Sequence, residues 1–277
     1  MSDTAHPFGL AAPLAMFFAV FFAVPLVLLL WVSLQSDGAP GLAQYARFFA
    51  DGLGARVLVH TLWIGLETTL ACLLLAYPLA LVFRQSPPWA KSVITLVVLL
   101  PLLTSVVVRT FSWIVILGRQ GVVNTTLLSL GVIDTPLRLL YTEGGLILAL
   151  TQVQLPLMFL PLAGALSRID ANLQDASAAL GAGAWRTFWR VTAPLSLPGA
   201  LAGCTLTFAA AVTAFITQSL VGGGQMLLMP SYIYQQAMTL QNWPFAAAIS
   251  IVFLVAVLAV LAAIAGMGRL ARGVAHV

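Results

Sequence analysis

Side chains that could carry out chemistry are few and scattered along this chain. The three histidines and two cysteines make neither a metal-ligand spacing nor a C-x-x-C pair. Lys91 is the only lysine, and Gly222–Gly224 has no lysine after it, so no phosphate-binding loop is present. The residue types therefore predict no catalytic, metal or nucleotide site, and we expect no enzyme and no cofactor bound by this chain.

The composition is that of a membrane protein. Of 277 residues, 61% are hydrophobic and only 7% are charged, whereas soluble domains carry about 25% charged residues. The net charge of +4 is modest, and basic residues in a membrane chain more often set its orientation than bind nucleic acid. We therefore expect a lipid bilayer, and no nucleic acid, as a partner.

Six apolar runs are long enough to cross a bilayer, since a spanning helix needs about 20 residues. Backbone inside lipid must satisfy its own hydrogen bonds, so each run is predicted to be helical. The first run is not preceded by Lys or Arg, and we interpret it as a retained helix rather than a signal peptide. The expected fold is an all-α membrane protein, one transmembrane domain over 1–277, with spans at 10–34, 58–83, 92–117, 144–166, 199–220 and 244–268.

Basic residues favour cytoplasmic N- and C-termini. In that orientation the inside segments hold more Lys and Arg than the outside segments, as the positive-inside rule requires. The inside residues are Arg84, Lys91, Arg168, Arg186, Arg190, Arg269 and Arg272, and the outside residues are Arg47, Arg56, Arg119 and Arg138.

Two ionisable residues, Glu67 and Arg109, are expected well inside the lipid region. A central Arg costs about 2.5–3.5 kcal/mol on insertion scales, so such groups usually face the protein interior. Both are predicted roughly 12–14 Å from the outer surface, which would let them meet. They are either a structural ion pair between two helices or part of a solute path.

The fifth span is the most polar and is our best candidate for lining such a path. Threonine and serine also back-bond to their own helix or lie at helix contacts, so a purely structural role stays open. Its polar residues are Thr205, Thr207, Thr213, Thr217, Gln218 and Ser219, and Thr110 and Trp113 join Arg109 as candidates on the third span.

The inside segment at 167–198 differs from the rest of the chain. Residues 171–180 are mostly good helix formers, and Gly181 and Gly183 are natural places for that helix to stop. An interfacial pattern of aromatic and cationic residues follows, and two prolines are expected to end it; these are Trp185, Arg186, Phe188, Trp189, Arg190, Pro194 and Pro198. A short helix of small residues suits insertion into a groove on a partner, although it could instead lie on the membrane.

This segment resembles the cytoplasmic signature, called the EAA loop, of binding-protein-dependent ABC transporter permeases. Asp replaces the family's Glu, and Ser replaces its second Ala, so charge and small size are kept. The resemblance implies that the 171–185 helix is a coupling helix that docks into an ATPase. The residues concerned are Asp175, Ala176, Ser177, Leu180, Gly181, Val191 and Pro194.

The likeness covers about residues 58–250 and is to the spermidine/putrescine-type permeases. It rests on Val108–Trp113, Leu117–Gly121 with Asn124, Leu137–Thr142 and Val221–Gly224. It implies a type I (MetI-like) importer architecture in the bacterial inner membrane. It also implies a second permease, homologous or identical, a periplasmic solute-binding protein, and two cytoplasmic subunits that hold ATP and Mg²⁺.

The solute is less well specified than the class of protein. Polyamine permeases often carry an acid in the fifth span, and 211–218 has none, so a polyamine-like, neutral, zwitterionic or anionic organic compound is possible. An ion-coupled secondary transporter is an alternative, but such proteins commonly have inverted repeats and midplane acids. A membrane enzyme acting on lipid would need a clustered polar site that the sequence lacks.

Overall fold

Helices account for most of the described chain in the computed structural model, which describes residues 7–36, 39–170 and 172–274. Five-residue π-helical turns join α1 to α2 and α10 to α11, and a third follows α13. The helices are α1 (Pro7–Phe18), α2 (Val24–Ser33), α3 (Ala43–Ala50), α4 (Leu53–Gln85), α5 (Pro88–Leu103), α6 (Val106–Leu117), α7 (Val122–Ser129), α8 (Glu143–Ser167), α9 (Asn172–Ala179), α10 (Ala184–Thr187), α11 (Ala193–Val212), α12 (Phe215–Val221), α13 (Met229–Tyr234) and α14 (Trp243–Val274).

Six helical stretches of the described chain are long and apolar enough to cross a membrane. This confirms the predicted all-α fold with six transmembrane helices. The stretches are Pro13–Ser33, Leu53–Gln85, Val106–Ser129, Glu143–Ser167, Ala184–Val212 and Trp243–Gly268, and Pro88–Leu103 is a shorter apolar helix.

The third apolar run, predicted as one helix over 92–117, is broken. Helix α5 ends at Leu103, Thr104 and Ser105 adopt non-helical conformations, and α6 begins at Val106. The Thr104 backbone N–H and hydroxyl both donate to the Pro101 carbonyl, at 3.4 and 3.0 Å. The chain can leave the helix here because local polar groups satisfy this carbonyl.

The fifth run, predicted over 199–220, starts earlier and is also broken. Helix α11 begins at Ala193 and ends at Val212, and α12 starts at Phe215. The two prolines expected to end the preceding segment lie within α11 instead. Pro194 is in the first turn, where no donor is needed, and the π turn before it is closed by the Ala193 N–H donating to the Phe188 carbonyl.

Two compact units can be distinguished in the chain. One contains the residues up to Val57 together with Tyr232–Ala256, and the other contains Leu58–Ser231 and the chain from Val257 onward. The first unit includes a two-stranded antiparallel sheet, β1 (Gln35–Ser36) and β2 (Ala39–Pro40), in which Gln35 pairs with Pro40.

The core of the second unit is built around α8, which packs along α11 and also against α5, α6 and α12. Small residues let α8 and α11 approach closely, as is common for helices in membranes. A Cβ added at Gly199 would lie 2.4 Å from the Cβ of Ala165 and 2.6 Å from the Pro161 carbonyl oxygen. On the α4 side, the Tyr77 and Ser196 hydroxyls are hydrogen-bonded at 2.6 Å.

We predict that Gly199→Ala destabilises the protein by about 1–3 kcal/mol, the usual cost of overpacking a filled interface. Thermal unfolding of the purified chain in detergent measures the effect. Gly164→Ala is the matched control on α8, because a Cβ there meets nothing within 4 Å. Equal unfolding midpoints for the two variants would contradict the close α8–α11 packing.

Candidate coupling segment and membrane pathway

Helix α9 is capped at both ends by local hydrogen bonds. At its start, the Asp170 carboxylate accepts from the Asn172 N–H at 2.9 Å. At its end, the Ala182 N–H donates to the Ser177 carbonyl at 3.1 Å, and Gly181 has a φ of +78°. This is a Schellman ending, which favours glycine because other residues are strained at that φ. The helix therefore ends at Ala179, short of the predicted 171–185.

Two contacts hold α9 on the end of the second unit. The Arg84 guanidinium at the end of α4 donates to the Ile169 carbonyl at 2.9 Å, next to the capping Asp170. The Ser177 and Thr187 hydroxyls are hydrogen-bonded at 2.8 Å, which joins α9 to α10. A helix of eight residues is marginal in water by itself, so these contacts and the caps are what fix its position.

The outer face of α9 is available to a partner. Asp175 and Ala176 are exposed, and Leu180 is 88% exposed at the C-terminal end of the segment. Val191 lies half-buried in the π turn, and Pro194 is exposed in the first turn of α11. Of the predicted signature residues on α9, Asp175 and Ala176 are exposed, whereas Ser177 bonds to Thr187 of α10.

The aromatic residues after α9 form one cluster. Trp185, Phe188 and Trp189 have ring centroids 5.1–6.0 Å apart, and the Phe188 ring packs on Tyr77 of α4 at 5.5 Å. Trp185 and Trp189 remain exposed. Exposed tryptophans next to arginines are typical of a membrane–water interface, and the interfacial position of this cluster stays a prediction.

The two broken spans meet at a pair of buried threonines. The Thr110 hydroxyl on α6 lies 3.4 Å from the Thr217 hydroxyl on α12, and both side chains are buried. Thr110 also donates to the Val106 carbonyl of its own helix at 2.7 Å. Two of the predicted path residues are thus brought together where both helices restart.

Gln218 closes the break between α11 and α12. Its side-chain amide donates to the carbonyls of Ala211 and Val212, at 2.8 and 3.2 Å. These carbonyls lose their helical partners where α11 ends. The side chain is 1% exposed, and its Oε1 has no hydrogen-bond partner among the described residues. Thr213, in the break itself, is exposed and bonds back to the Ala209 carbonyl at 2.8 Å.

The possible ion pair between Glu67 and Arg109 is not formed. Arg109 donates from Nη1 to the Pro101 carbonyl, across the α5–α6 break, and its buried Nε has no hydrogen-bond partner among the described residues. The carboxylate of Glu67, half-buried on α4, has no hydrogen-bond or ion-pair partner within the described part of the chain. Of the two alternatives that the sequence left open, the ion pair is not formed because the carbonyl exposed by the helix break takes the guanidinium.

Trp113 makes a contact that sequence reasoning missed. Its indole N–H donates to the side-chain carbonyl of Gln152 on α8 at 3.3 Å. Gln152 and its neighbours Thr151 and Gln154 are polar residues in an otherwise apolar span, and intramembrane polar residues usually face the protein interior. That signal was present in the sequence and could have added α8 to the candidate path.

Six spans, an exposed capped helix between the fourth and fifth, and paired breaks in two spans define a polytopic membrane transport protein. Residues 7–266 match the family described as the binding-protein-dependent transport system inner membrane component. The chain belongs to this family, and it is a multi-pass inner-membrane permease subunit of an ABC importer.

Named relatives agree with that assignment. The spermidine/putrescine transport system permease protein PotB of Escherichia coli (strain K12) is 36% identical over 216 residues, which cover 78% of each chain. The PotB protein of Haemophilus influenzae is 35% identical over 238 residues, covering 83% of each. The comparisons lend no support to an ion-coupled secondary transporter.

The fold is shared with a solved transporter structure. A chain in the crystal structure of a bacterial ABC transporter involved in import of the acidic polysaccharide alginate superimposes with a TM-score of 0.79. The two chains are 18% identical, and the superposition covers 95% of this chain and 94% of that one. This confirms the predicted type I importer permease architecture.

We predict that Gln218→Ala lowers the free energy of unfolding by about 1–3 kcal/mol, because the Val212 carbonyl loses its side-chain donor and the Ala211 carbonyl loses one of its donors. Thermal unfolding in detergent measures it. Gln120→Ala is the control, since Gln120 is exposed. If both variants unfold like the wild type, Gln218 does not hold the break between α11 and α12.

Proposed function

We propose that this chain forms half of a membrane pathway for a small organic solute, and that it is driven by ATP through contacts made at α9. The observation that carries the proposal is the exposed surface of α9, with Leu180 at 88% exposure on a segment fixed to α4 and α10. A rigid apolar contact on a helix is the usual form of helix-in-groove recognition.

The proposal includes a membrane orientation with both termini cytoplasmic. The excess of Lys and Arg in the segments on the α9 side supports it. The exposed Trp185 and Trp189 suit a position of the α9–α10 segment at a membrane surface, since tryptophan is enriched at both membrane–water interfaces. Segments that contain α3, α7 and α13 then face the periplasm.

The partners are proposed to be a second permease, homologous or identical, two cytoplasmic ATP-binding subunits and a periplasmic binding protein. The family description is itself binding-protein-dependent. A second structure of the alginate transporter contains a pentasaccharide-bound periplasmic protein. ATP and Mg²⁺ would be bound, and ATP hydrolysed, by the partner subunits, since the sequence has no phosphate-binding loop on this chain.

The mechanism would be alternating access. ATP can shift the balance between inward and outward states only by as much as it binds one state better. Movement of the ATPases would pass through α9 into α11, which follows α10 without a loop. The breaks at Thr104–Ser105 and Thr213–Ala214 would absorb the change in backbone angle, as short non-helical segments do in hinged proteins.

The solute is proposed to be polyamine-like. The PotB relatives are spermidine/putrescine permeases by name. The fifth span has no acid, but Glu67 on α4 offers a half-buried carboxylate without a partner among the described residues. A charge-assisted hydrogen bond from an ammonium group would compensate the cost of burying that carboxylate.

We predict that Gly181→Trp and Asp175→Lys abolish solute uptake and binding-protein-stimulated ATP hydrolysis in proteoliposomes that hold the complete complex. The first strains the backbone and adds bulk where α9 would meet the ATPase, and the second reverses a charge on that surface. Uptake and ATP turnover are measured together at equal amounts of inserted complex.

The chain offers matched controls on the opposite side of the membrane. Gly131 also has a positive φ, +69°, and like Gly181 has nothing within 4 Å of an added Cβ, so Gly131→Trp carries the same backbone strain. Asp134 is an exposed acid, and Asp134→Lys matches the charge change. Transport at the wild-type rate by both α9 variants would rule out coupling through this helix.

We predict that Glu67→Gln lowers spermidine or putrescine uptake at least tenfold, because removing a charge-assisted hydrogen bond costs about 1.5–3 kcal/mol. Stimulation of ATP hydrolysis by the binding protein should persist. Glu143→Gln is the control, because that carboxylate is already paired with His60 at 2.8 Å. Uptake of neutral or anionic solutes in place of polyamines by the wild type would overturn the proposed solute class.

A further inference from the structure

A cavity of about 330 Å³ lies beside the C-terminal end of α6, on the side of the membrane that holds α7. It is lined by Leu117, Arg119, Arg138, Leu139, Leu140 and Tyr141. Two of its six lining residues are arginines, and the others are apolar or aromatic. We call it the arginine cavity.

A single buried residue holds the backbone on both sides of the arginine cavity. Asn124 of α7 is 0% exposed, and its amide donates to the carbonyls of Gly118 and Leu137, each at 3.0 Å. Its side-chain oxygen accepts from the Leu137 N–H at 2.8 Å. Gly118 precedes Arg119 and Leu137 precedes Arg138 in the sequence, so Asn124 positions the two arginines relative to each other.

The wall of the cavity is held in a strained conformation. Tyr141 has a φ of +62°, which is uncommon for an aromatic residue, and its N–H donates to the Val221 carbonyl at 3.2 Å. The facing Gly223 also has a φ of +62°, and a Cβ there would lie 2.5 Å from the Tyr141 ring. Strain that the surrounding structure maintains is commonest at functional sites.

The charges of the arginine cavity are not neutralised within the described residues. Both arginines are exposed, and neither forms an ion pair there; Arg138 donates to the side-chain oxygen of Gln225 instead. A guanidinium has five donors in a fixed fork that matches a carboxylate in two parallel hydrogen bonds. The guanidinium N–H groups of Arg119 and Arg138 that are not used within the described chain are therefore suited to bind a carboxylate.

We propose that the arginine cavity is a docking site for a side-chain carboxylate of the periplasmic binding protein. This rests on the proposed function, which supplies the binding protein and the periplasmic side. Arginine and tyrosine, which make up half of the lining, are residue types enriched at interface hot spots. An Asp or Glu side chain is the complementary anchor, because its oxygens accept from the guanidinium groups while its methylene groups contact the apolar lining.

The test uses the complete complex in proteoliposomes with its own binding protein added at increasing concentration. The readout is the concentration that gives half-maximal stimulation of ATP hydrolysis. We expect Arg119→Glu and Arg138→Glu each to raise it at least tenfold, and the wild-type value to rise with salt because exposed charges are screened. ATP hydrolysis without binding protein should stay unchanged.

Arg56→Glu is the matched control, since Arg56 is exposed, lies in a segment proposed to face the periplasm, and does not line the cavity.

Asn124→Ala tests whether Asn124 positions the two arginines. Asn124→Ala should raise the binding-protein concentration for half-maximal stimulation and leave the maximal rate of ATP hydrolysis unchanged. A general loss of folding would instead lower the maximal rate.

Charge reversal in the partner identifies the carboxylate. Acidic residues of the binding protein are changed singly to Arg, and one of these variants should restore docking to the Arg138→Glu complex. Wild-type half-maximal concentrations in both arginine variants would overturn the site. An equal effect of Arg56→Glu would also overturn the site. The same holds if the purified variants lose the second permease, or if they take up less solute while their affinity for the binding protein is unchanged.

Failure of the cavity and failure of the proposed function give different results. If the wild-type complex shows no stimulation by any binding protein, the proposed function itself is wrong. If the wild type is stimulated and both arginine variants behave like it, only the docking site is wrong.

Discussion

The structure depends most on one constraint, that backbone polar groups inside lipid must find partners within the protein. Most of the chain meets it with continuous helices. The two spans that do not are repaired by side chains: Arg109 and Thr104 donate to the Pro101 carbonyl, and Gln218 donates to the last carbonyls of α11. Breaks are possible only where such donors exist, so these polar residues determine where the spans can change direction.

This constraint also separates structural from functional polarity. In the fifth span, Thr205 and Thr213 bond to their own helix, whereas the buried Thr207 hydroxyl has no partner among the described residues. Glu67 differs, because a half-buried carboxylate without a partner in the described chain has no structural reason to be there. An intramembrane polar group is therefore better judged by whether its hydrogen-bonding capacity is used up than by its polarity.

The number of spans, the short helix between the fourth and fifth, and its end at Gly181 could be predicted, since they follow from composition, helix propensity and glycine chemistry over short stretches. The helix breaks were not predicted, although the run at 92–117 contains Pro101, Thr104 and Ser105 next to the α5–α6 break. The partners of Arg109, Trp113 and Asn124 could not be predicted either. Each depends on which backbone carbonyl or side chain the tertiary fold places within 3–3.5 Å, and sequence spacing carries no such information.

The close approach at Gly199 has a mechanical consequence. Because α8 and α11 pack without room for a methyl group at Gly199, they should tilt together as a rigid unit rather than slide past each other. Helix α11 has 20 residues, a length of roughly 30 Å at about 1.5 Å per residue. A tilt of about 5° at its cytoplasmic end would displace the far end by roughly 2–3 Å, about the width of a water molecule. A small displacement of α9 would in this way change the width of an opening on the other face of the membrane.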